Sequence, residues 1–414
     1  MRLVHTSDWH LGQTLRGQER SFEHQCFLDW LLDQLVERKA DVLLIAGDVY
    51  DTVNPSAQSQ RQLYRFLAEA HRRLPALQTV LIAGNHDSAG RLEAPQPLLE
   101  SLAVRVVGQV RRGPDDGHID LARMLLPLGP DPTRPAAWCL AVPYLRPADV
   151  PLLADVPDPY LAGVAALYHQ LYEYALSRRQ DDAPIIAMGH CHARGGTTSE
   201  DSERRLVIGG SEAIAIDSFP EGLAYVALGH LHLAQKVGGL DHIRYCGAPL
   251  PFSFSEARYP HQILQVDLAA GTGAVVETLR VPRFVELWRL PAEPAPLADV
   301  LTMLAELDPP DLPPEQQALL EVRVRLLQPE PDHGRQIRAA LEGKPVRLLR
   351  IDAHAAVAVD SDAEAAGSDS LEPAALDPET VLRDLYLSRY GEALPEELAG
   401  LLLELLRSET DETA

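Results

Sequence analysis

The chain has 414 residues, 46 % of them apolar, and a net charge of -23, which allows a sizeable core and two or three domains. No stretch approaches the roughly 18 apolar residues a membrane span needs, and no basic, then long apolar, leader opens the sequence, so a cytoplasmic protein free of any membrane is expected. Cys26, Cys139, Cys191 and Cys246 are scattered without a C-x-x-C pair, which indicates neither a disulfide framework nor a thiolate zinc site, and they read as small apolar packing residues.

Short runs of Val, Ile, Leu and Ala, bounded by Gly, Asp or Pro and separated by helical patterns, predict buried strands of an α/β domain over residues 1–281. Strands are expected near 2–6, 41–46, 78–83, 104–107, 138–142, 184–188, 224–228, 243–246, 262–268 and 274–281, with helices over 21–38, 57–73 and 160–179. Ser21 is the expected N-cap of the first helix. No role is assigned to residues 111–135. From about 282 to 354 the pattern becomes β-α-β-α-β, a small second α+β domain. Residues 355–376 are rich in Ala, Asp, Ser and Glu with no periodic face and read as a flexible acidic linker. Beyond it, 377–414 reads as two helices whose stripe of Leu394, Leu398, Leu401, Leu402 and Leu405 needs a partner surface to cover it.

The acid is concentrated late: residues 355–414 hold 15 acidic and 3 basic side chains, against 45 acidic and 34 basic before them. Bulk attraction to nucleic acid is therefore weak, although local arginines can still fork onto phosphates. Lysine is confined to Lys39, Lys236 and Lys344.

Four apolar runs share one ending. LLIAGD (43–48), VLIAGNHD (80–87), IIAMGH (185–190) and YVALGHLH (225–232) each stop at glycine and then present a polar group. With Asp8 and His10 after the first strand, they deliver two carboxylates, one amide and four imidazoles (Asp8, His10, Asp48, Asn85, His190, His230 and His232) past strand carboxyl ends, where side chains of an open α/β sheet meet in one crevice. A set without thiolate suits Mn²⁺, Fe²⁺ or Zn²⁺. Seven donors exceed one ion, and a carboxylate such as Asp48 can bridge two cations about 3.5–4 Å apart, an arrangement that clamps a phosphoryl group and activates water. His190 ranks ahead of His192 because it follows the glycine, while lone histidines such as His5 and His24 read as packing.

In order, DWH, GDVYD, GNHD, GH and GHLH resemble the motif series of the calcineurin-like metallophosphoesterases. HTSDWHLGQTL, AGDVYDT and LGHLHLAQKVGGLDHIRYCGAPLPFSFSE, with the second domain and helical tail, narrow the resemblance to the nuclease subunits of bacterial SbcCD exonucleases, in the double-strand-break repair nuclease family. The resemblance implies two packed mixed β-sheets flanked by helices, a capping DNA-binding domain at 282–354 and an SbcC-binding helical segment at 377–414. It implies one ion on Asp8, His10, Asp48 and His232, a second on Asp48, Asn85, His190 and His230, and His86 facing the scissile phosphate with Asp87 as its orienting partner. It further implies two Mn²⁺ ions, 3′–5′ double-strand exonuclease and hairpin or end endonuclease activity, the coiled-coil ATPase SbcC as partner, and a homodimer within a heterotetramer on DNA in the nucleoid. The chain has no G-x-x-x-x-G-K-[ST], so no nucleotide is expected to bind it alone. Arg16, Arg20, Arg61, Arg91 and Arg258, near the motif loops, are candidate DNA contacts.

Overall fold

A strand with no polar face must be covered on both sides, and Val42–Ala46 is so covered: Val42, Leu44 and Ala46 join one buried cluster, Leu43 and Ile45 another. The computed structural model describes residues 1–113, 117–154, 156–197, 213–269, 273–326 and 330–355. Its first sheet has six strands, in the order Gly273–Arg280, Gln262–Ala269, Arg2–Thr6, Val42–Ala46, Gln78–Ile82 and Val104–Val107, the last four parallel. Helices Ser21–Arg38 and Ala57–Arg73 cover one face through Phe27, Leu31, Leu35, Leu63 and Phe66. Ser56 caps the second helix by accepting the Ser59 N–H at 3.1 Å. The first starts at Ser21 itself with Arg20 as N-cap, so the expected serine cap is not formed.

The other face packs on a second six-stranded sheet, in the order Gln235–Val237, Leu240–Tyr245, Tyr225–Gly229, Ile185–His190, Ala137–Ala141 and Leu125–Leu128. Its four central strands are parallel and both edge strands antiparallel, so each sheet is mixed. Helix Pro159–Arg178, capped by Asp158, packs into the same cluster through Val164, Leu167 and Leu171. Residues 111–135, without an expected role, supply the edge strand Leu125–Leu128.

Beyond residue 281 comes a separate three-stranded parallel sheet, Leu287–Pro296, Leu319–Leu326 and Arg347–Ala355. Helices Leu297–Glu306 and His333–Ala340 close its core, placing Val300, Leu304 and Ile337 with Leu320, Val322 and Val324. Ala355 ends a strand; the rest of the expected linker and the helix pair lie outside the described residues. No described helix is long and apolar enough to cross a membrane.

Candidate metal centre

The site follows from which strands are neighbours. Arg2–Thr6, Val42–Ala46 and Gln78–Ile82 adjoin in the first sheet, and Ile185–His190 and Tyr225–Gly229 adjoin in the second. The loops leaving their carboxyl ends meet at the seam between sheets and bring the seven expected donors together. Four of them hold left-handed backbone: Asp8 (φ 53°), His10 (45°), Asp48 (49°) and His230 (105°). Such conformations are costly for side chains other than glycine and concentrate at functional sites. The glycines before the donors serve two purposes. Gly47 turns the chain at φ 88°, whereas Gly84 supplies room, because a Cβ there would collide with the Asp48 backbone nitrogen and Oδ1.

Asp48 is the centre of the cluster. Its Oδ2 lies 3.6 Å from His10 Nε2 and 3.4 Å from His190 Nε2, while its Oδ1 accepts the His86 N–H at 2.9 Å. Asn85 Oδ1 lies 3.0 Å from His190 Nε2 and 3.1 Å from His230 Nδ1. Three groups have donor atoms within 4.8 Å of one another: Asp8, His10 and His232; Asp8, Asp48 and His190; and His10, Asp48 and His86. Asp8 Oδ1 also accepts the His230 N–H at 2.9 Å, tying the two sheets together.

Partners behind the cluster fix its imidazoles. His190 Nδ1 donates to the Ala46 carbonyl (2.9 Å), which leaves Nε2 turned to the site. His232 Nδ1 lies 2.9 Å from Glu256 Oε1, and Glu256, fully buried, accepts the Phe252 N–H at 2.7 Å through Oε2. Glu256 closes the stretch LGHLHLAQKVGGLDHIRYCGAPLPFSFSE that carries the resemblance, but nothing in that stretch assigns it a role. Asp87, expected as the orienting partner of His86, meets backbone N–H groups. Its carboxylate accepts the N–H groups of Val49 (3.1 Å), Tyr50 (3.0 Å) and Gly84 (2.9 Å), so it staples two donor loops. The contact that orients His86 is Nδ1–H to the Asp51 carbonyl, 2.8 Å.

The electrostatics are those of a cation site. Burial raises the Asp8 carboxyl. At Asp48 burial is outweighed by the imidazoles of His190, His10 and His86, which hold its carboxyl well below the usual range. Burial lowers His190, but Asp48 and Asp8 prevail and raise it to about 9. Burial, then the Asp48 charge, push Asp87 up to about 6 against its three N–H donors. Among the described residues neither ring nitrogen of buried His10 makes a hydrogen bond, Nδ1 lying 3.5 Å from Asp51 Oδ1 and Nε2 beside Asp48, and a divalent cation would take up Nε2. The donor set and these orphaned atoms fit divalent metal.

His192 stays outside the ligand groups; its ring lies 6.5 Å from that of His230. Cys139 and Cys246 are buried free thiols, as packing residues should be, while Cys26 and Cys191 are half-buried. Arg16, Arg61, Arg91 and Arg258 are exposed, Arg16 on the rim of the cleft over the site. Arg20 is not a surface contact. Only 1 % exposed, it spends Nε (2.7 Å) and Nη2 (2.6 Å) on Glu23 and donates through Nη1 to the Pro251 carbonyl.

Residues 1–234 match the calcineurin-like phosphoesterase family, and residues 283–390 match the type 5 capsule protein repressor C-terminal domain. The chain is 43 % identical to the SbcD component of nuclease SbcCD from Rhodobacter capsulatus over 353 residues, 84 % of this chain and 86 % of the relative. Identity to the Escherichia coli K12 protein of the same name is 34 % over 85 % of this chain and 84 % of the relative. To that of Bacillus subtilis it is 36 % over 66 % and 68 %. The chain is a phosphodiester-hydrolysing metalloenzyme, and it belongs to the calcineurin-like phosphoesterases and, within them, to the SbcD nuclease family.

Proposed function

We propose that this chain cuts DNA as the nuclease subunit of an SbcCD-type complex, with two Mn²⁺ ions in the seam between its sheets. Asp8, His10, Asp48 and His232 would hold one ion, and Asp48, Asn85, His190 and His230 the other. The observation that carries this reading is Asp48 Oδ2, set between the Nε2 atoms of His10 and His190 at 3.6 and 3.4 Å, where one carboxylate can serve two ions. When bound, such a pair supplies Lewis acidity toward a phosphoryl oxygen and a water acidic enough to attack near neutral pH.

The protein's own groups do the rest. His86 lines the cleft beside His10 and His232, and its Nδ1–H is committed to the Asp51 carbonyl, so its ring is held to donate to, or stabilise charge on, a phosphoryl oxygen. Asp87 acts through the loops, keeping Asp48 and Asn85 at their spacing. Residues 282–354 would cap the site, and 377–414 would dock the chain on SbcC, whose ATPase drives 3′–5′ double-strand exonuclease and hairpin endonuclease cutting by a homodimer-based assembly in the cytoplasm. The relatives are named as one component of SbcCD, which supports that partner.

Anomalous scattering at the manganese edge from crystals grown with Mn²⁺, beside cleavage assays on linear and hairpin DNA with and without SbcC and ATP, tests the reading. Two peaks flanking Asp48 and metal-dependent DNA cutting are expected. One peak away from Asp48, or hydrolysis confined to small phosphodiesters even with partner and ATP, would refute it.

A further inference from the structure

Opposite the histidines of the metal centre, the cleft, about 290 Å³, is walled by Arg289, Glu321 and Arg350 of the three-stranded sheet. They come from three different strands and form one row: Arg289 pairs in register with Glu321, and Glu321 with Arg350. In-register neighbours on parallel strands point to the same face, so the row is built by the sheet and needs no loop to assemble it.

The central carboxylate is fully buried and holds an arginine on each side. Arg289 Nε donates to its Oε2, and Arg350 Nη1 lies 3.4 Å from its Oε1 while Nη2 donates to Asp352 at 2.9 Å. Asp352 is shared with Arg323, 3.8 Å away, and with His354, 2.9 Å away. Glu321 therefore lies between two guanidinium groups at the cleft wall, with Asp352 a second carboxylate behind Arg350.

A purely structural ion pair looks different in the same molecule. Arg20 commits its whole fork to Glu23 and to a carbonyl, with its side chain fully buried. Arg289 commits Nε alone among the described residues, and its side chain is 32 % exposed, that of Arg350 37 %. Fixed at Nε, Arg289 keeps its terminal N–H groups for a planar oxyanion, the geometry by which arginine forks onto phosphate, whereas Arg350, with Nη1 and Nη2 beside Glu321 and Asp352, adds a part-exposed positive charge.

We propose that the Arg289–Glu321–Arg350 row binds a backbone phosphate of the strand being cut, with Arg289 forking onto it, Arg350 adding positive charge beside it and Glu321 as the positioning residue for both. This rests on the nuclease reading above and deepens it. The metal centre treats any phosphodiester alike, and the row rewards a substrate that carries a second phosphate. It thereby favours polynucleotide over a small ester.

The test uses the full chain and its Arg289→Ala, Arg350→Ala and Glu321→Gln variants. Binding of end-labelled duplex DNA is followed by fluorescence anisotropy across a salt titration in EDTA, and hydrolysis of DNA and of bis(p-nitrophenyl) phosphate is followed with Mn²⁺. Each arginine variant should reduce the slope of log affinity against log salt by about 1. Each should raise KM for DNA roughly tenfold while hydrolysing the small ester within about twofold of the parent rate. Glu321→Gln should shift KM for DNA in the same direction, and the part-exposed arginine variants carry the test if this buried substitution unfolds the sheet. Parental salt slope and parental KM in both arginine variants overturn the proposal. So does equal loss of small-ester hydrolysis, which would make the row a support of the metal centre, or a parent chain with no salt-dependent DNA binding. A parent that binds DNA but hydrolyses neither substrate refutes the nuclease reading alone, because the metal-free salt slope still reads the row.

Discussion

Two carboxylates that touch no substrate set the geometry of those that do. Glu256 holds His232 through Nδ1, and partners of this kind are worth roughly 10–100-fold in metal affinity. Glu256→Gln is accordingly expected to weaken one of two Mn²⁺ binding events by about that factor and leave the other, as read by calorimetric titration. Asp87→Asn replaces an oxygen that accepts a backbone N–H with an amide that cannot, at a cost of about 1–3 kcal/mol for the orphaned donor. His86→Gln should abolish cleavage with metal content unchanged, because His86 stands in neither ligand set proposed for the ions; loss of metal would instead make it a ligand beside His10 and Asp48. Burial lowers His5 and His24 to about 3, so both stay neutral in the fold but take a proton near 6.5 once unfolded. The unfolded chain then binds more protons below pH 6.5, and stability falls as pH drops from there toward 3 by about 1.4 kcal/mol per pH unit for each group. Urea midpoints between pH 6.5 and 5 check this, and His24→Gln should flatten the slope. The seven donors are legible because each follows an apolar run. The partner roles are not: Asp87 adjoins His86 in the chain but turns into the loop, and Glu256 lies 24 residues from the histidine it holds.

At the scale of elements, agreement and failure have one cause. Central strands such as Val42–Ala46 and Tyr225–Gly229 appear within a residue of their expected positions because burial on both faces writes an unbroken apolar run. The edge strand Leu125–Leu128 carries Pro127 inside its apolar run, and Gln235–Val237 and the hairpin Thr14–Leu15/Gln18–Glu19 are too short to write one, so none of them is read from the pattern. Arg20 departs from its expected role for a related reason: the R-S-F-E spacing that pairs it with Glu23 is also that of an exposed helix start. Gly84 links element to site, since the strand Gln78–Ile82 runs on past Asp48 with no space for a side chain. Gly84→Ala should leave far-ultraviolet circular dichroism near parental while lowering hydrolysis by at least about a hundredfold, the scale on which misplacement by an ångström acts.

Across the molecule, the metal centre joins two sheets whose loops each bring part of the donor set. Ligands that bind only the folded state stabilise it by mass action, about 2.7 kcal/mol at a hundred times the dissociation constant. Mn²⁺ should raise the thermal midpoint and EDTA return it, and His190→Ala should blunt the rise. Deleting residues 378–407 should spare ester hydrolysis and remove both ATP stimulation and co-purification with SbcC; retained co-purification would contradict the docking role proposed for that segment.

The donors run from Asp8 to His232, so more than half the polypeptide must be synthesised before the last of them exists. A ribosome that has released only the first sheet's parallel strands carries Asp8, His10, Asp48 and Asn85 but no imidazole from the second sheet. The growing chain therefore cannot assemble the full donor set until the strands of the second sheet have been made.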